Sequence, residues 1–111
     1  MRMAGYERLV VLPARERAED SSELLSGRRM HEMMLDMRSR YRERVLLFDL
    51  PPVLQADDVL AFAKYVQAVL VVVAEGKTRR DDLQRTFELL REVPIVGTVL
   101  NGTREPVVNY Y

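Results

Sequence analysis

A parallel α/β sheet flanked by helices is the fold class this sequence predicts, and three observations lead to it. Four short apolar runs, Leu9 to Leu12, Val45 to Phe48, Val69 to Val73 and Ile95 to Leu100, are rich in the β-branched residues that suit a pleated, buried surface. The runs are continuous rather than alternating, as strands covered on both faces require. Stretches with helical periodicity lie between them. The expectation is a sheet of about four strands in one domain, residues 1–111, because a chain of 111 residues leaves no room for a second core.

Composition narrows the function classes. Lys plus Arg and Asp plus Glu number 17 each, a neutral balance that argues against a dedicated nucleic-acid or membrane binder. Cysteine is absent and His31 is the single histidine, which excludes disulfides, thiolate metal sites and multi-histidine centres. Around Arg2, Glu7 and Arg8 there is no signal-peptide core. The longest apolar run, Ala68 to Ala74, falls far short of the roughly 20 residues that span a bilayer. A cytoplasmic chain is expected.

After the first apolar run, Asp20 with Glu23 three residues on forms a loose capping box and predicts a short helix, which Gly27 can end in a left-handed cap. In the next helix Met30, Met33, Met34, Met37 and Tyr41 fall on one face. Such a stripe can form a methionine-rich partner groove, but core packing is its ordinary use and the reading adopted. Arg28, Arg29, Arg38, Arg40, Arg42 and Arg44, interleaved with acids, read as a solvated face rather than an anion-binding one. His31 has no catalytic partner nearby and receives no role.

Between the second and third runs, Asp57 or Asp58 caps a helix to about Tyr65, with Val59, Leu60 and Ala63 inward. Between the third and fourth, Leu83, Phe87 and Leu90 repeat at helical spacing, and Asp81 and Asp82 in the first turn complement the helix dipole. Pro94 forces the exit.

The segment "VLLFDLPPVL", Val45 to Leu54, carries the clearest chemistry. It is an apolar strand ending in Asp49, followed after Leu50 by Pro51 and Pro52. The carboxyl ends of parallel strands are where such sheets bind ligands. There a carboxylate can hold Mg²⁺, which takes one or two carboxylates plus substrate phosphates, or it can simply accept hydrogen bonds from the next loop. Gly76, Lys77 and Thr78 superficially match the end of a P-loop, but the motif requires a glycine where Val71 stands, and Glu75 would repel the anion. The P-loop reading is rejected.

The order of these features resembles the C-terminal half of the ATPase and tyrosine autokinase domain of bacterial capsular and exopolysaccharide biosynthesis, the bacterial tyrosine kinases related to MinD and ParA type P-loop ATPases. The resemblance runs from about Leu9 to Asn101. "VLPARERAEDSSELLSGRRM" is similar to that family's strand, "LPAG" turn and "NPSELL…RM" helix, "VLLFDLPPVL" to its Walker B strand with Asp-Thr-Pro-Pro, and "VPIVGTVLN" to the strand ending in a nucleotide-contacting asparagine. The resemblance implies that Asp49 organises Mg²⁺, that Asn101 contacts the adenine edge with its amide donor and acceptor, and that Asp58 is the acidic position downstream. Without it, Asn101 followed by Gly102 is a turn signal. Leu50, Arg15 and Gln67 depart from the family's threonine, glycine and aspartate. Tyr110 and Tyr111 match in position a terminal tyrosine cluster that the family autophosphorylates, and equally read as a loose tail.

The family's Walker A loop is absent from these 111 residues, and phosphoryl transfer depends on positioning and charge neutralisation around the phosphates. The expectation is a partial P-loop fold lacking the P-loop strand, with Mg-ATP the cofactor of the complete domain, none bound by this chain alone, and no intrinsic activity. The strands at Val45 and Val69 should then either pair directly or leave a gap for another copy of the chain, which favours a homo-oligomer. A membrane-bound polysaccharide chain-length regulator is the partner the resemblance implies, and nucleic acid is not. The alternatives are a noncatalytic protein-interaction module and a fragment of another MinD or ParA type ATPase.

Overall fold

A computed structural model describes residues 1–14, 19 and 21–104, with the backbone alone at Ser21 and Ser22. Its order is α1 (Ser21–Ser26), α2 (Arg28–Arg40), α3 (Asp58–Ala63), β1 (Val69–Ala74), α4 (Arg80–Leu89) and β2 (Ile95–Asn101). β1 and β2 pair in parallel across the α4 crossover, with Leu70 opposite Gly97, Val72 opposite Val99 and Ala74 opposite Asn101. A local irregularity between Val69 and Leu70 sets that register. Pro94 immediately precedes β2, although α4 has already ended at Leu89 without it, and its carbonyl accepts from the Val69 amide at 2.8 Å.

The α/β class therefore holds, with a parallel sheet flanked by helices, but the sheet has two strands among the described residues rather than about four. Leu9 to Leu12 is not a strand. Only Val10 makes an isolated antiparallel bridge, to Arg2, and Val11 exchanges backbone hydrogen bonds with Met1. Val45 to Phe48 is not a strand either. Its side chains still alternate: Val45 and Leu47 are 86% and 87% exposed, while Leu46, Phe48 and Leu50 are half-buried. This segment keeps one side against the helices but finds no neighbouring strand for its amides, and a strand is defined by such pairing.

The core lies among the helices. Met34 of α2, Phe62 of α3 and Tyr65 form its buried centre, with Leu25, Met30, Phe48, Leu50 and Val66 packed around them. Phe62 meets Phe48 and Tyr65 edge-on at 4.9 and 5.7 Å, the arrangement aromatic quadrupoles favour. The methionine stripe thus serves packing, through Met34 above all, while Met33 and Tyr41 at its borders are exposed. His31 is exposed, its ring tilted against Tyr65 at 6.0 Å.

Several local expectations are corrected. Gly27 has φ −73° and opens α2 in extended conformation, so it is no left-handed cap. Asp57 precedes α3 without a side-chain capping bond, and α3 ends at Ala63. There Leu60 points outward and Phe62, which the sequence reading left out, points inward with Val59 and Ala63. In α4 the buried position is Thr86, Leu90 is buried just past its end, and Phe87 is exposed. The Thr86 hydroxyl donates to the Asp82 carbonyl, so a polar side chain sits inside at no cost in unmet hydrogen bonds. Asp20, Arg15, Tyr110 and Tyr111 lie outside the described residues.

The sheet is incompletely covered on both faces. Leu70 and Val72, on the face opposite buried Val71, are more than half exposed, and so is Leu100, whose pairing with Val73 puts it on the Val71 face. Consistent with an open arrangement, the radius of gyration is 16.2 Å, against roughly 13 Å for a close-packed domain of about 100 residues.

Phe62→Ala should lower the unfolding free energy by about 3–5 kcal/mol. Leu47→Ala, at a site almost wholly in solvent, should change it by less than about 0.5 kcal/mol. Urea denaturation followed by circular dichroism distinguishes the two.

Candidate functional site

A cleft of about 1500 Å³ separates the Val45–Leu50 segment from β1. Its lining takes in Leu70, Val71, Val72 and Ala74 of β1 but only Asn101 of β2, so it runs along the edge of β1 that β2 leaves free. The two extended segments neither pair with each other nor close together, which answers the question their separation in sequence posed.

One end of the cleft gathers the polar groups. Asn101 is placed there by its register with Ala74, the last residue of β1. Lys77, Thr78 and Asp82 follow β1 and enter the same lining, and Asp49, exposed, lines the cleft from the opposite segment. Two of the three site residues expected from sequence, Asp49 and Asn101, thus border one cavity. Asp58, the first residue of α3, is half-buried and outside that lining.

The turn after β1 shows in detail why Gly76, Lys77 and Thr78 do not cradle a phosphate. The amides of Lys77 and Thr78 both donate to the Ala74 carbonyl, at 3.1 and 3.0 Å, and the Glu75 amide donates to Asn101. The Thr78 hydroxyl oxygen accepts from the Ala74 amide at 2.9 Å. A P-loop keeps its amides free to converge on the anion, whereas here they are spent on the turn itself. Gly76, at φ +71°, supplies the left-handed residue this tight reversal needs. The Glu75 carboxylate accepts from the Arg104 amide at 3.2 Å, fastening the turn to the chain just past β2. Gly102 also has positive φ, and the chain bends there just past Asn101.

Two carboxylates, Asp49 and Asp82, reach this end of the cleft. No group of three or more metal-ligating side chains occurs among the described residues. Asp49 offers the hard oxygen that Mg²⁺ prefers, Mg²⁺ sites of this kind lean on substrate phosphates and water for their other ligands, and the amides of Lys77 and Thr78 at this end are already taken by Ala74. Sequence reasoning passed over Arg38, Arg42 and Arg44, which also line the cleft. They were legible only as part of an arginine-rich run, because their spacing carries no sign of a cavity. In the orientation that satisfies both groups, the Gln67 amide oxygen accepts from Arg38 Nε and Nη2 at 3.1 Å, which fixes this cation beside the start of β1.

Comparison with known proteins supplies one relationship. Over 85 residues, 75% of this chain, the sequence is 26% identical to the tyrosine-protein kinase YwqD of Bacillus subtilis. The chain is tyrosine-kinase-like in sequence. It spans about a third of that relative, 35% of its length. No family model matches, and no solved structure matches. Among the described residues no helix is long and apolar enough to cross a membrane.

Thr78→Val should destabilise the chain by about 1 kcal/mol through loss of the hydroxyl acceptor, and should speed hydrogen exchange at the Ala74 amide. Unchanged exchange at Ala74 in a two-dimensional NMR time course would remove this hydroxyl from the account of the turn.

Proposed function

We propose that this chain is the Walker B half of a tyrosine-kinase-like nucleotide-binding domain acting in capsular or exopolysaccharide biosynthesis, and that alone it neither hydrolyses ATP nor transfers phosphate. The observation that carries the reading is the similarity to a bacterial tyrosine kinase over three quarters of the chain. In this reading Asp49 holds Mg²⁺ or its water, Asn101 contacts the adenine edge, and Asp58 is an acid of the nucleotide side. When bound with phosphates, Mg²⁺ supplies neutralisation of charge on the transferring group. The chain's own residues supply the carboxylate and the amide, on one cleft.

Inactivity in isolation follows from where the backbone donors go. The amides of Lys77 and Thr78 are committed to Ala74, and the rejected P-loop pattern has no substitute in the sequence. A complete domain would have to bring in the phosphate cradle, and its partner in this reading is a membrane-bound chain-length regulator that localises it to the inner face of the membrane.

Titration calorimetry of the purified chain with Mg-ATP should show no binding tighter than about 1 mM, a scale near 4 kcal/mol. Release of inorganic phosphate from ATP that disappears in Asp49→Ala would overturn the proposal.

A further inference from the structure

The outer edge of the sheet belongs to β2, away from the cleft, and among the described residues no strand pairs with it. Glu75 donates its amide to the Asn101 carbonyl, so the backbone groups of Asn101 face β1. Strand residues alternate between the two edges, which turns Val99 toward β1 as well and leaves Thr98 and Leu100 facing outward. Val96 is passed over by the register, which steps from Ile95 opposite Val69 directly to Gly97 opposite Leu70. Val96 and Leu100 are 70% and 58% exposed, with Thr98 exposed between them. The strand reads Ile-Val-Gly-Thr-Val-Leu-Asn, without the charge or proline that usually guards an open edge.

We propose that this edge is a self-pairing surface, on which the β2 strands of two copies of the chain run antiparallel about a two-fold axis at Thr98. Thr98 is the midpoint of Ile95–Asn101, so this centre overlaps the whole strand. A two-fold axis sets residue i of one copy against residue j of the other, and j against i. Here Thr98 meets Thr98, and Val96 meets Leu100. These are the residues whose backbone β1 leaves unused, so their N–H and C=O groups point at one another across the axis. The side chains gain as well, because exposed Val96 comes beside exposed Leu100 of the other copy, and cross-strand apolar pairs stabilise a sheet.

Charge selects both the partner and the register. Glu92 stands six residues before Thr98 and Arg104 six residues after it, so the same axis sets each against the other at both ends of the interface. Both side chains are exposed, and neither has an ion-pair partner among the described residues. In sequence the count extends one step further, with Arg91 seven before Thr98 and Glu105 seven after it. Sliding one copy by two residues sets Arg104 opposite Pro94 instead and loses the match. The surface is therefore complementary to itself in one register. Strands this short make an interface below the roughly 1,200 Å² of stable complexes, so the dimer is weak, with a Kd of about 100 μM.

The test uses the whole chain, in sedimentation velocity from about 10 to 500 μM and in amide exchange by NMR over the same range. Mass should rise toward a dimer. Exchange at Thr98 and Leu100 should slow about threefold, the ratio of free monomer across that range, while Val99 stays unchanged. Glu92→Arg alone and Arg104→Glu alone should each weaken self-association at least about fivefold, because each sets like charges together. An equimolar mixture of the two variants should restore it, since every contact between them is again Arg against Glu. Thr98→Pro removes an outward amide at the centre while sparing the β1 side, and should abolish the dimer. No association up to about 500 μM, a dimer indifferent to the single charge variants, or a mixture no tighter than its components overturns the proposal, whether or not Thr98→Pro folds. So does protection of Thr98 and Leu100 that is independent of concentration, since the chain would then cover this edge itself.

Discussion

A strand inside a parallel sheet must satisfy its backbone on two edges, and β1 does so on one. Everything unusual about this molecule follows from that half-met requirement. On the β2 side the register is continuous from Leu70 to Ala74 and carries the whole sheet. On the other side the nearest extended segment, Val45 to Leu50, stands off across the cleft. Stability is consequently concentrated among the helices, around Met34, Phe62 and Tyr65, while the sheet contributes pairing with both faces incompletely covered. A helical core and a skeletal sheet can coexist because the βαβ unit needs only its crossover to set strand direction.

The polar end of the cleft inherits its geometry from the same source. Asn101 is where it is because β2 is in register with β1, and Lys77 and Thr78 are where they are because the turn after Ala74 closes on its own carbonyl. Asp49 owes its position to Phe48 and Leu50, which pack on the helical core and leave the intervening side chain outward. Alternation thus aims a carboxylate at the cleft even without a strand around it. In the proposed reading this constellation is the nucleotide side of the cleft, and the amides of Lys77 and Thr78 are already committed to the turn.

What the sequence made legible was whatever depends on near neighbours. The β-branched runs at Val69 and Ile95, the helix between them with Asp81 and Asp82 in its first turn, and the exit at Pro94 were all readable from local pattern. The rejection of a P-loop at Gly76 was readable too, and the turn's hydrogen bonds give it a structural reason. Val45 to Phe48 has the same local signal as β1 but lacks a partner, and composition cannot report a missing partner. The inward choices of Phe62 over Leu60 and Thr86 over Phe87 depend on which way each short helix is rotated, a tertiary property. Asn101 borders the cleft at the end of a strand legible in the sequence, whereas Asp49 borders it from a segment that is not a strand. The arginines were not, since their meeting with β1 comes from folding over a long stretch of chain.

β1 itself reads Val-Leu-Val-Val-Val-Ala, with no charge, proline or glycine to guard it. Natural edges are usually protected by such residues, and uncharged β-branched hexamers are the ones that stack into cross-β fibrils. Exposure of this strand makes the protein's solubility a kinetic matter. In a cell its lifetime would be set by a race between finding cover and meeting other nascent or unfolded chains.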